Sequence, residues 1–187
     1  MKKSDIPNLI SFLRVLLIPP VVWYLLQERY EWALVLFMIA GFSDALDGYL
    51  ARKYEWGSHL GGWLDPLADK AMQVSVYFTM TWIGLIPVWL LVAVILRDLL
   101  IVLGGLFYYF RVERVNASPT IISKLNTLMQ ILLVVVILFY KSNLGIAAWV
   151  IDYMIYAVLF TTVLSGLDYV VTWSRKMVQA KMDSHSQ

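Results

Sequence analysis

The sequence predicts an all-α, polytopic membrane protein with six transmembrane helices and both termini in the cytoplasm. Three observations carry that reading. First, 60% of the residues are hydrophobic and only 15% are charged, against roughly 45–50% apolar in ordinary soluble domains. Second, the chain resolves into six apolar runs, each near the ~20 residues that a helix needs to cross a bilayer, separated by short polar breaks. Third, lysine and arginine fall almost entirely on one side of the alternating runs, as orientation in a membrane requires. Six such spans use up most of the 187 residues, so the whole of 1–187 reads as a single membrane domain.

The predicted helices cover residues 7–27, 32–54, 61–82, 86–111, 121–140 and 146–173. The first has Lys2 and Lys3 ahead of it, like a secretion signal. Its apolar run is too long for a signal core, however, Arg14 interrupts it, and no small-residue cleavage site follows, so it reads as a retained span. Pro7 sits at its start, where a missing N–H costs little, and Pro19-Pro20 predict a kink. A charged turn at 28–31 leads to helix two. Gly57, Gly61 and Gly62 make "EWGSHLGG" a break before helix three, and "IGLIP" turns into helix four. "RVERVNASPT" is a polar loop in which Ser118 or Thr120 is the candidate cap of helix five. "KSNLG" closes helix five, and the polar tail "SRKMVQAKMDSHSQ" is expected to start helical and then fray. The 8 Trp and 11 Tyr supply aromatic belts at the membrane surfaces.

Lys2, Lys3, Arg52, Lys53, Arg111, Arg114, Lys124, Arg175, Lys176 and Lys181 fall on the side of the N-terminus, and only Arg29 and Lys141 fall opposite. That places the loops 52–60 and 111–120 in the cytoplasm with both ends. The net charge of +2 gives no argument for a nucleic-acid partner, and the absence of cysteine excludes disulfides and thiolate metal sites.

The chemistry concentrates in "FSDALDGYLARKYEWGSHLGGWLDPLADKA", residues 42–71, which holds Asp44, Asp47, Asp65 and Asp69 in a greasy chain. At 100° per residue, Asp44, Asp47, Gly48 and Ala51 share one face of helix two, which Ala40 and Gly41 extend toward the membrane centre. On helix three, Gly61, Asp65, Ala68, Asp69 and Met72 share a face in the same way. Small residues allow close approach of the two helices. Carboxylates that converge cannot all stay ionised without cations between them. Oxygen-only ligands select hard ions such as Mg²⁺, Mn²⁺ or Ca²⁺, and four acids suit two ions, a device for phosphoryl displacement. Arg52, one turn past Gly48, is placed to clamp a phosphate. Salt bridges to Arg52, Lys53 or Lys70 would explain single acids but not four on two consistent faces. An ion path in a transporter would explain the acids but not the glycines or Arg52.

The spacing Asp44-x2-Asp47-Gly48-x2-Ala51-Arg52-x8-Gly61-x3-Asp65-x3-Asp69 resembles, position for position, the signature of the CDP-alcohol phosphotransferases, and the six-helix length matches as well. The resemblance implies a membrane homodimer in the bacterial-type inner (cytoplasmic) membrane, with its active site facing the cytoplasm. Such enzymes use two divalent cations, Mg²⁺ or Mn²⁺, transfer the phosphoryl-alcohol part of a CDP-alcohol to an acceptor hydroxyl, and release CMP. Carried over residue by residue, Asp44, Asp47, Asp65 and Asp69 hold the metals, and Asp69 is also the general base. Asp47, Gly48, Ala51, Arg52 and Gly61 form the CDP pocket, with Ser58 a further candidate. Asn8 either reaches the donor head group or satisfies the helix start.

Two branches of that family resemble this chain most, and both open like "IPNLISFLRVLLIP". One makes phosphatidylglycerophosphate from CDP-diacylglycerol and glycerol 3-phosphate. The other, the CMP-forming cardiolipin synthases, uses phosphatidylglycerol as acceptor. The first typically carries two lysines after the polar loop, which suit a dianionic phosphomonoester. Here "SPTIISKLNTLMQ" keeps Lys124 but has Asn126 at the second position, which suits a monoanionic phosphodiester. Together with Arg97-Asp98 in "RDLLI", that pattern resembles the cardiolipin synthases. Arg97, Lys124 and Asn126 are therefore the candidate acceptor-binding residues. The competing readings are a membrane-surface anchor for Lys124 and an ion pair for Arg97. Asp98, the adjacent residue, is expected to face elsewhere and not to be that partner. Arg14 lies deep enough to need a partner, with a lipid phosphate the candidate and a structural role the favoured reading, Asp168 and Tyr169 are expected to pack or join a network, and His59 and His185 are expected to be solvated.

Overall fold

A computed structural model describes the backbone of residues 6–54, 61–111 and 120–185, and the side chains of 12–43, 53, 67–104 and 120–172. The described residues form six α-helices and no strand: α1 (Ile6–Leu26), α2 (Tyr30–Tyr54), α3 (Gly61–Trp82), α4 (Val88–Arg111), α5 (Ile121–Lys141) and α6 (Ala148–His185). Five helices end within three residues of the sequence expectation. The sixth runs past the expected end at residue 173 to His185, so the polar tail starts helical as expected and stays so further than expected. At 1.5 Å per residue its 38 residues measure roughly 57 Å, well beyond a hydrocarbon core of about 30 Å. α1 is continuous through Pro19 and Pro20, although neither can donate to the carbonyls of Val15 and Leu16.

The C-terminal ends of α1, α3 and α5 close with the same motif. Arg29 N–H donates to the Tyr24 carbonyl at 2.9 Å and Glu28 N–H to Leu25 at 3.1 Å. Leu85 donates to Met80 at 2.8 Å and Gly84 to Thr81 at 3.1 Å, and Leu144 donates to Phe139 at 3.0 Å and Asn143 to Tyr140 at 3.1 Å. Each pair is a Schellman closure around one left-handed residue: Glu28 (φ 57°), Gly84 (φ 76°) and Asn143 (φ 55°). Glycine and asparagine adopt that conformation readily, and Glu28 does so at a cost. α5 opens on Thr120, whose Oγ1 accepts the Ser123 N–H at 3.2 Å, so of the two candidate caps Thr120 is the one seen.

The chain divides into two compact units, Met1–Ile86 with Val134–Ala148, and Pro87–Leu133 with Trp149–Gln187. In the first, α1 packs against both α2 and α3. Its core joins Val21 and Leu25 of α1, Ala33, Leu34 and Ala40 of α2, and a stripe of Ala68, Met72, Val76 and Met80 spaced one turn apart on α3. On α3 the expected small-residue face is buried at Ala68 and Met72 and exposed at Asp69, while the burial of Gly61 and Asp65 lies outside the described residues. On α2 it holds at Ala40 but not at Gly41, which is exposed with nothing within 4 Å of a Cβ built on it. In the second unit Leu90, Leu91, Val94, Leu133 and Val158 are buried.

Among the described residues two helical stretches, Ile121–Lys141 and Ala148–Thr172, are long and apolar enough to cross a membrane, and the described parts of α1 and α2, Phe12–Leu26 and Tyr30–Ser43, are apolar as well. Large apolar side chains point outward on every helix, among them Trp23, Phe42, Trp82, Leu96, Leu128 and Phe160.

Candidate functional site

α2 carries Asp44, Asp47, Gly48, Ala51 and Arg52, and α3 carries Gly61, Asp65 and Asp69. Both stretches are helical throughout, so the register that groups Asp44 with Asp47, and Asp65 with Asp69, is that of the backbone. The side chains of Asp44, Asp47, Ala51, Arg52 and Asp65 lie outside the described residues, as does that of Asn8 on α1, and Ser58 lies outside them altogether. Among the described residues no group of three or more His, Cys, Asp and Glu comes together. By donor chemistry the four aspartates fit a hard divalent cation: every ligand atom they offer is a carboxylate oxygen, and the chain has no cysteine to favour a softer metal.

Asp69 is the one member of this set whose side chain is described. It is 48% exposed, and its Oδ1 accepts a hydrogen bond from Nη1 of Arg14, whose side chain is only 2% exposed. A guanidinium in an apolar helix needs an anion. The expectation that Arg14 needs a partner is met by a carboxylate from α3. Beside it, Lys70 Nζ donates to Gln73 Oε1 at 3.4 Å.

The second unit holds a buried polar seam on the inward faces of α4, α5 and α6. Arg97, 8% exposed, donates from Nε to Ser165 Oγ at 3.1 Å and from Nη2 to Ser165 Oγ at 2.6 Å and Ser123 Oγ at 2.5 Å. Its Nη1 forms an ion pair with Asp98 Oδ1 at 2.9 Å. This corrects the expectation that Asp98 points away. Neighbouring Cβ atoms on a helix diverge by 100°, but the arginine stem is long enough to curl back to the adjacent carboxylate. One turn along α5 from Ser123, Asn126 is fully buried, and its Oδ1 accepts the hydroxyls of Thr161 and Thr162, each at 2.9 Å. Its Nδ2 is buried without a hydrogen-bond partner. Lys124 is exposed on the other side of α5. Tyr169 is buried as expected, and Asp168 Oδ2 beside it is buried without a hydrogen-bond partner.

The structure thus brings Arg97 and Asn126 into one seam and leaves Lys124 on the surface. Sequence reasoning missed Ser123, Gln130, Thr161, Thr162 and Ser165, all polar and lining or adjoining that seam. Their signal was present: Ser123, Asn126 and Gln130 stand at i, i+3 and i+7 on α5, and Thr161 and Ser165 at i and i+4 on α6.

The chain matches the family model of the CDP-alcohol phosphatidyltransferases over residues 4–164. It is similar to the CMP-forming cardiolipin synthase of Rattus norvegicus, 36% identical over 69% of this chain and 48% of that protein. It is also similar to that of Homo sapiens, 33% identical over 95% of this chain and 64% of that protein. The CDP-diacylglycerol–glycerol-3-phosphate 3-phosphatidyltransferase of Bacillus subtilis (strain 168) is 26% identical over 88% of this chain and 93% of that protein. The chain therefore spans about half to two thirds of the length of these two cardiolipin synthases. With the aspartate register on α2 and α3, the match from α1 into α6 establishes that the chain belongs to the CDP-alcohol phosphatidyltransferase family.

Proposed function

We propose that this protein is a phospholipid synthase that transfers the phosphatidyl group of CDP-diacylglycerol to a hydroxyl of phosphatidylglycerol, giving cardiolipin and CMP. The observation that carries the acceptor assignment is Asn126, a fully buried amide whose Nδ2 has no hydrogen-bond partner. An anionic oxygen would satisfy that donor without bringing in a second full positive charge, as suits a monoanionic phosphodiester. Similarity to named CMP-forming cardiolipin synthases supports the same branch. The second reading is a phosphatidylglycerophosphate synthase with glycerol 3-phosphate as acceptor, favoured by similarity to the Bacillus subtilis enzyme over 93% of its length.

In this reading Asp44, Asp47, Asp65 and Asp69 hold two divalent cations, Mg²⁺ or Mn²⁺. When bound, these neutralise the diphosphate and stabilise charge on the departing CMP. Asp47, Gly48, Ala51, Arg52 and Gly61, with Ser58 and Asn8, take the cytidine and diphosphate, and glycine at 48 and 61 leaves room for them. Asp69 accepts the proton of the acceptor hydroxyl. The hydroxyl oxygen forms a bond to the β-phosphorus, and the bond from that phosphorus to the bridging oxygen breaks, so CMP leaves with the bridging oxygen. Asn126 and Arg97 hold the acceptor phosphate, with the positive charge of Arg97 held in place by Asp98 and two serines, while Lys124, exposed on the other side of α5, serves as the membrane-surface anchor.

The six helices are six spans of one membrane domain over 1–187, with both termini and the aspartates at the cytoplasmic face of a bacterial-type inner membrane. The charge asymmetry supports this, and so do the aromatic residues near the three turns that would face the other way. Tyr24 stacks on Trp32, Trp89 stacks on Tyr156, and Trp149 meets Tyr153 edge to face. Lys141, one of the two cations expected on that side, sits 5.8 Å from the Tyr30 ring centroid. The working form is a homodimer. The deciding experiment gives purified protein CDP-diacylglycerol, Mg²⁺ or Mn²⁺, and either acceptor. Cardiolipin as product confirms the reading, phosphatidylglycerophosphate selects the second one, and CMP release undiminished in excess EDTA rules out the metal mechanism.

A further inference from the structure

Arg14 has no part in the chemistry described above, yet it is nine-tenths or more buried and reaches across from α1 to the acid at the end of the catalytic motif. The ion pair is lopsided. The cation is 2% exposed and the carboxylate 48% exposed, so the aspartate keeps a face open to water while the guanidinium does not. A positive charge in contact with a carboxylate disfavours any second cation at that carboxylate. The effect of a neighbouring arginine on proton binding is about 1–3 pKa units, which is tenfold or more in affinity. A divalent ion carries twice the proton's charge and is repelled twice as strongly at a given distance, though it sits farther away than a bound proton.

We infer that Arg14 is a built-in counter-charge for Asp69 that competes with the divalent cation for this carboxylate and so sets the cation affinity of the site. Before metal arrives, the guanidinium compensates Asp69, so the acid does not stand uncompensated beside an apolar helix. When a cation binds, the guanidinium loosens from Oδ1. Arg14 is thus a positioning residue: it contacts the Asp69 carboxylate and acts through it. The inference rests on the metal reading proposed above, and the test separates the two.

The test is Mn²⁺ titration, by electron paramagnetic resonance or calorimetry, of the full chain in detergent without any lipid substrate. R14Q removes the charge and keeps a hydrogen-bonding side chain, R14K keeps the charge, and D69N and D65N remove ligands. R14Q is expected to bind Mn²⁺ about tenfold tighter than wild type, with R14K close to wild type and D69N/R14Q no tighter than D69N. Equal or weaker binding in R14Q overturns the inference, because a guanidinium that merely orients Asp69 would help the metal. Absence of any Mn²⁺ binding that D65N weakens sinks the metal reading itself. Should R14Q fail to fold, guanidinium ¹⁵N resonances of the arginine-labelled wild type, with Arg14 assigned by its loss in R14K, give the answer without it. Mg²⁺ is expected to shift the Arg14 signal in wild type and not in D69N, and a signal that stays fixed while Mg²⁺ binds overturns the inference.

Discussion

Ser165→Ala tests whether the buried seam of the second unit is what holds Arg97. Ser165 is fully buried and its Oγ accepts two hydrogen bonds from the guanidinium, at 3.1 Å from Nε and 2.6 Å from Nη2. Interhelical hydrogen bonds between neutral groups in bilayers average about 0.6 kcal/mol, and a charged donor roughly doubles that. Two such bonds give about 2 kcal/mol. Ser123 accepts only one bond, at 2.5 Å from Nη2, and its removal leaves Nη2 still bonded to Ser165, so Ser123→Ala should cost about 1 kcal/mol or less. For a chain of this size that is a fall in Tm of about 4–8 °C for S165A against about 2–4 °C for S123A. Thermal unfolding followed by far-UV circular dichroism in one detergent reads both. A loss for S123A equal to or larger than that for S165A would refute the bond counting. In a turnover assay, S165A should raise KM for the acceptor more than it lowers kcat and leave KM for CDP-diacylglycerol unchanged. A rise in donor KM alone would separate Arg97 from the acceptor.

Three further outcomes are expected. Glu28→Gly relieves a left-handed φ of 57° that costs an L-residue about 1–2 kcal/mol, so Tm should rise by about 2–8 °C, and an unchanged or lower Tm would show that the Glu28 side chain offsets the strain. Asp69→Asn should reduce CMP release by about 10²–10⁴-fold while donor binding persists, and near-normal turnover would remove Asp69 as the base. Asn126→Lys should shift the ratio of CMP release toward glycerol 3-phosphate and away from phosphatidylglycerol, with circular dichroism to confirm that the protein tolerates a lysine at this fully buried position. An unchanged ratio would end the charge-counting argument.

Hydropathy made the helices legible, and the runs of α3 and α5 stop at a turn residue the backbone favours. Gly84 and Asn143 sit where left-handed φ closes α3 and α5, and Thr120 caps α5. The end of α6 was not legible in the same way. In the sequence its apolar run gives way to polar residues after Trp173, but the residues beyond include good helix formers such as Arg, Lys, Met, Gln and Ala, so the helix continues past the end of the apolar run. The aspartate register was readable because four acids in an apolar chain are conspicuous. The seam was not, because serine and threonine hydroxyls are cheap enough in apolar helices to pass unnoticed until their spacing is compared across α5 and α6. Asp98 was misjudged because a helical wheel tracks Cβ directions and not the reach of an arginine.

Among the described residues two arginines are buried, each against an aspartate, and their surroundings decide what each can do. Arg97 pairs with its sequence neighbour, whose side chain is itself only 13% exposed, and is bonded further to Ser123 and Ser165. Moving it would break several charge-assisted bonds in a site with little water to replace them, so it is a fixed charge around which an acceptor site can be built. Arg14 pairs across helices with an acid that is 48% exposed. Water and cations can approach that carboxylate, so this is the pair that an incoming ion can loosen. A fixed positive charge suits holding a lipid phosphate through many turnovers. An exchangeable one suits a carboxylate whose proposed work begins only when a cation arrives.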